Sequence, residues 1–65
     1  MPRIATSAYI HSSAVLIGNV EVGERVFIGP NAVIRSDEPG PDGKAQAIVI
    51  EMEANIQDGV IIHAL

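Results

Sequence analysis

The sequence predicts an all-β fold, a left-handed parallel β-helix of about three coils with a triangular cross-section. Three observations carry this. Large aliphatic residues recur at every sixth position, at Ile4, Ile10, Leu16, Val22, Ile28 and Ile34, and again at Ile50, Ile56 and Ile62. Turn-forming or polar residues stand two and three places after each of them. Small, mostly apolar residues stand two places before the next. Ile, Val and Leu make up 19 of the 65 residues, so six in a row in any of six frames would arise by chance about once in 300 trials.

Each position of the hexad has a physical role. The aliphatic residue is position one. Position five reads Ala8, Ala14, Val20, Val26, Ala32, Glu38, Ala54 and Val60. Positions five and one are two apart, so on a strand both point the same way, inward. Ile and Val are stiff at χ1 and favour strands. Positions three and four read Thr6-Ser7, Ser12-Ser13, Gly18-Asn19, Glu24-Arg25, Pro30-Asn31, Ser36-Asp37, Met52-Glu53 and Asp58-Gly59. Most of these types favour bends. Short strand and bend, three times per coil, make a triangular prism whose stacked coils pair as parallel strands. A six-residue period matches no helix, and a sandwich would need longer strands and hairpin turns.

The spacing from Ile34 to Ile50 is 16, and this stretch holds Pro39-Gly40-Pro41-Asp42-Gly43. The chain reads as a single domain over 1–65 with an inserted loop at about 38–47. One hexad step with ten inserted residues fits, and so do two steps with four.

Composition narrows the function classes. The formal net charge is −4 and the pI about 4.8, with no basic patch, which argues against nucleic acid as a partner. Apolar runs such as Ala14-Val15-Leu16-Ile17 are too short to span a membrane or to form a signal-peptide core. A soluble, cytoplasmic protein is the expectation. With no cysteine there is neither a disulfide nor a thiolate metal site. Outward position six is apolar at Tyr9, Val15, Phe27, Val33 and Ile61. Exposed apolar stripes mark partner surfaces, so a homo-oligomer is expected.

Polar residues that break the pattern gather around the interruption. Arg35, Gln57 and His63 occupy position two, next to an inward residue, and should project from the outer wall. The strings Arg35-Ser36-Asp37-Glu38 and Asn55-Ile56-Gln57-Asp58-Gly59, followed by His63-Ala64-Leu65, resemble the gamma-class carbonic anhydrases and their close relatives. Tyr9-Ile10, Ala14-Val15, Ile17-Gly18, Val20 and Val22-Gly23 match that family's first coils. The resemblance implies reversible hydration of carbon dioxide on zinc, held by three histidines between protomers of a trimer, with carbon dioxide and bicarbonate as the small-molecule partners. It implies His63 as one zinc ligand, with Gln57 and Asn55 beside the metal-bound water or substrate. It implies Arg35, Asp37 and Asp58 as an interface ion-pair network, and Glu38 as a proton-transfer group. The chemistry is coherent. Three protein ligands leave zinc a fourth place for water, whose pKa the metal can lower to about 7. An arginine–carboxylate fork suits a rigid interface.

The family's other two histidines lie in later coils, so an incomplete or inactive version of the site is expected. Two other readings compete: a non-catalytic trimeric scaffold, and an acyl-CoA-dependent acyltransferase on the same fold. Each residue also has a plainer reading. His63 reads as a solvated histidine, Arg35 with its carboxylates as a surface ion pair worth ~0–1 kcal/mol, and Asn55 as a bend residue. His11, beside Ser12-Ser13, matches no ligand and reads as a surface histidine.

Overall fold

A computed structural model describes residues 2–64. Nine short strands follow one another: β1 (Arg3–Ile4), β2 (Tyr9–Ile10), β3 (Val15–Gly18), β4 (Val20–Val22), β5 (Phe27–Ile28), β6 (Val33–Ser36), β7 (Ile48–Ile50), β8 (Asn55–Ile56) and β9 (Ile61–His63). No helix occurs among the described residues. Each strand pairs in parallel with the third strand after it, giving three three-stranded sheets ordered β1-β4-β7, β2-β5-β8 and β3-β6-β9. The fold is therefore the predicted left-handed parallel β-helix, three coils high.

The register stacks equivalent hexad positions. Ile4 lies opposite Val22 and Val22 opposite Ile50; Ile10, Ile28 and Ile56 align on the second sheet, and Leu16, Ile34 and Ile62 on the third. Val20, Val22, Val26, Ile28, Ala32, Ile34 and Ile50 are buried and form the core. Six of these seven belong to the middle coil, which alone has a coil on either side. Ile4, in the first coil, is 48% exposed. It faces inward like its partners, but β1 is the edge strand of its sheet among the described residues. Position six points outward as predicted: Tyr9, Val15, Phe27 and Ile61 are exposed, and Val33 is half-buried.

The corners solve a hydrogen-bonding problem. Arg25, Asn31 and Glu53 at position four adopt left-handed backbone, with φ of 55°, 62° and 66°. Their N–H groups need acceptors, because a buried or crowded amide without one is costly. Between the first and second coils, serine side chains supply them. Ser7 Oγ accepts from Arg25 N–H at 2.8 Å, and Ser13 Oγ from Asn31 N–H at 3.0 Å. Between the second and third coils the backbone does so, with Glu53 N–H on the Glu24 carbonyl at 2.9 Å and Gly59 N–H on the Pro30 carbonyl at 3.0 Å.

The insertion leaves at the corner between the third and first sheets. Ile34 lies on the third sheet and Ile50 on the first, so the 16-residue spacing is one hexad step with ten residues added. Ile48, paired with Val20, takes the inward place of position five. Glu38 is exposed in the loop instead. The loop closes through an antiparallel bridge between Pro39 and Ala45 and through Gly40 N–H on the Lys44 carbonyl at 2.8 Å.

Candidate functional site on the third sheet

Parallel pairing places Arg35 of β6 directly beside His63 of β9. Both occupy position two, next to the inward residues Ile34 and Ile62, and so both stand on the outer wall. The chain leaving β6 then turns back over them. Asp37 accepts two hydrogen bonds from Arg35, Nε to Oδ1 and an Nη to Oδ2, each 3.0 Å. Glu38 reaches His63, with Oε1 2.7 Å from Nε2. One guanidinium, one imidazole and two carboxylates thus form one cluster, with His63 following Glu38 by 25 positions in the chain.

The electrostatics follow from this geometry. The Arg35 fork holds the Asp37 carboxyl below its ordinary range, chiefly by hydrogen bonding and against some desolvation. Asp37 in turn raises the Arg35 guanidinium above its usual value. Bidentate arginine–carboxylate pairs are the stronger kind of ion pair, but this one is partly exposed, with side chains 39% and 34% accessible. Its value is geometric more than energetic.

Gln57 and Asn55 make a second group. Gln57 Nε2 donates to Asn55 Oδ1 at the end of β8. That strand belongs to the second sheet, around the corner from Arg35 and His63. Asp58 lies on the bend after Gln57, packed over Gly29, where a Cβ would stand 2.7 Å from Asp58 Oδ1. No ion pair joins Asp58 to Arg35 among the described residues. Within one chain, then, the arginine, Asp37, Glu38 and His63 come together, while Gln57, Asn55 and Asp58 stand apart on the neighbouring wall. Leu65, the last residue of the histidine motif, lies outside the described residues. Among the described residues, no three of His, Asp and Glu gather as a metal-holding group.

The structure adds two residues that periodicity passed over. Ser36 is buried and its hydroxyl donates to the Gln46 carbonyl. Asn19 Nδ2 donates to the Ala45 carbonyl at 3.3 Å. Both sit at bend positions, where a polar residue is unremarkable. The signal available was that both occupy the one corner from which the insertion departs.

Comparison with known proteins agrees with the fold. Residues 1–36 match the family described as bacterial transferase hexapeptide (six repeats). The chain is 46% identical over 63 residues to the carnitine operon protein CaiE of Citrobacter koseri, covering 97% of this chain and 28% of that protein. It is 44% identical over 63 residues to CaiE of Proteus sp. (strain LE138), with the same coverage. The figure is also 44% for CaiE of Escherichia coli (strain K12 / DH10B), with 29% of that protein covered. The chain therefore spans less than a third of the length of these relatives. No solved structure matches it. On the six-residue register, the family match and these relatives, the chain belongs to the bacterial transferase hexapeptide family, among its gamma-class carbonic anhydrase-like members.

Proposed function

We propose that this chain contributes one wall of a gamma-class carbonic anhydrase-like site between protomers of a cyclic trimer, and that the site is incomplete in its own residues. The observation that carries this reading is the register pairing of Arg35 with His63, each clasped by a carboxylate of the intervening segment. Exposed Val15 and Ile61, in line with Val33 on the same sheet, give this wall the apolar surroundings of a contact surface.

Zinc, which the family implies, would take His63. The donors of a single chain do not fit a resident zinc. A catalytic site takes three protein ligands and leaves one place for water. Here one imidazole is available, and its Nε2 is turned to Glu38. What these residues do by themselves is hold charge in place on the wall: Asp37 fixes the guanidinium plane of Arg35, and Glu38 fixes the ring of His63. The proposed role is assembly, with carbon dioxide hydration dependent on donors beyond this set.

Native mass spectrometry of the 65-residue chain, with metal analysis and stopped-flow carbon dioxide hydration, tests the proposal. The expected result is a trimer mass, zinc far below one per chain, and hydration no faster than in buffer. A monomer mass would remove the assembly. One zinc per chain with rapid hydration would show that the site is complete.

A further inference from the structure

The inserted loop is closed in two places. At its tip, Pro39 and Ala45 bridge, and Gly40 N–H donates to the Lys44 carbonyl at 2.8 Å. At its neck, two side chains of the prism corner take adjacent carbonyls of the returning leg. Ser36, only 1% exposed, donates to Gln46, and Asn19, one coil below, donates to Ala45 at 3.3 Å. The departing leg starts at the same corner. Glu38 lies on it, between the neck and the tip.

The Glu38–His63 contact is not strong enough to place itself. The Glu38 side chain is 52% exposed and that of His63 is 31% exposed, and such surface pairs contribute little against the entropy of holding a long side chain still. The neck is different. The Ser36 hydroxyl is sealed from water, so breaking its bond leaves a buried polar group unpartnered, which costs more than the bond's net worth.

We infer that Ser36 and Asn19 are positioning residues: by pinning Gln46 and Ala45 they close the neck of the insertion and hold the Glu38 carboxylate on His63 Nε2. This rests on reading the third-sheet wall as the functional site, and it concerns how that wall is kept in order.

The test is the rate at which diethyl pyrocarbonate acylates His63, followed by peptide mass spectrometry at fixed pH. The chain has two histidines. His11, bonded through Nδ1 to Ser13 at 2.9 Å on another sheet, is the internal reference. Ser36→Ala and Asn19→Ala should each raise the His63 rate relative to His11 by about fivefold, the factor one hydrogen bond carries. Glu38→Ala should raise it too, and in that background Ser36→Ala should add nothing, because it acts through Glu38. Asn19→Ala keeps the test open if the Ser36 variant folds poorly. A His63 rate unchanged in both single variants would overturn the inference. So would additivity with Glu38→Ala, or a rise at His11 matching that at His63. Native mass spectrometry of each variant fixes its subunit number and zinc content alongside the rates, and variants are compared only at equal values of both, so the assembly proposal and this inference fail or stand separately.

Discussion

Arg35 in β6 and Asp37 just past the strand's end are two residues apart, and the fork between them needs no other element. Their coupling sets a pH dependence. Asp37 is held below its ordinary value in the folded chain by Arg35, so its contribution to stability is complete at neutral pH. It is lost as pH falls below the ordinary carboxylate range, about 3.9, and through the depressed folded value. Carbon-detected NMR titration should therefore show the Asp37 carboxyl moving up in Arg35→Gln; an unchanged midpoint would mean that the guanidinium is not its partner. At this scale the sequence was only half legible. The identities of Arg35, Asp37, Glu38 and His63 stood out as polar residues in an aliphatic pattern, and their outward direction followed from alternation. Their grouping did not follow. Glu38 meets His63 only because the insertion folds back across the wall, and no local rule encodes that path. The family resemblance places Asp58 with Arg35 in a network between protomers; within the chain Asp58 packs over Gly29 at another corner.

Strands of two to four residues are stable here only through stacking, since so short a strand offers few backbone bonds of its own. The ladder positions should therefore differ in cost by coil. Ile28 is fully buried and Ile4 is 48% exposed. Ile28→Ala should lower the free energy of unfolding by ~2–5 kcal/mol, and Ile4→Ala by about half of that or less. Urea denaturation of both variants checks this, and equal losses would place the core elsewhere. Corners can be ranked likewise. Gly59 has φ of 71° and open space around a would-be Cβ, so Gly59→Ala should cost only backbone strain, ~1–2 kcal/mol. Gly18, with φ of 83°, faces the Ser36 carbonyl where its Cβ would stand. Gly18→Ala should lower the melting temperature further than Gly59→Ala; the reverse order would contradict this packing. The strands and most bends were legible because a six-residue period has few structural solutions. Glu53 was not, since nothing about a glutamate announces left-handed backbone.

For the whole molecule, stability resides in contacts between successive coils, the nearest-neighbour regime of solenoids. Six of the seven core residues lie in the middle coil. The sequence left two ways of crossing the interruption, because spacing alone counts residues and does not say which sheet receives them. Pairing of Val22 with Ile50 settles it as a single step. Removing residues 38–47 should then restore the hexad, joining Asp37 to Ile48. Made with Ser36→Ala, so that no buried hydroxyl loses its acceptor, this deletion should keep the β-type circular dichroism spectrum and a cooperative melt. A collapse of the spectrum would mean that the loop holds the coils together.

The first coil reaches its rung after 18 residues, from Ile4 to Val22, and the next after 28, from Val22 to Ile50. Height along the axis is thus indifferent to contour length. A protrusion can grow at one vertex without moving any neighbour, because the strand that follows is docked by the rung below it. Such a scaffold lets chemistry be edited by lengthening a corner while the tube itself goes on counting in sixes.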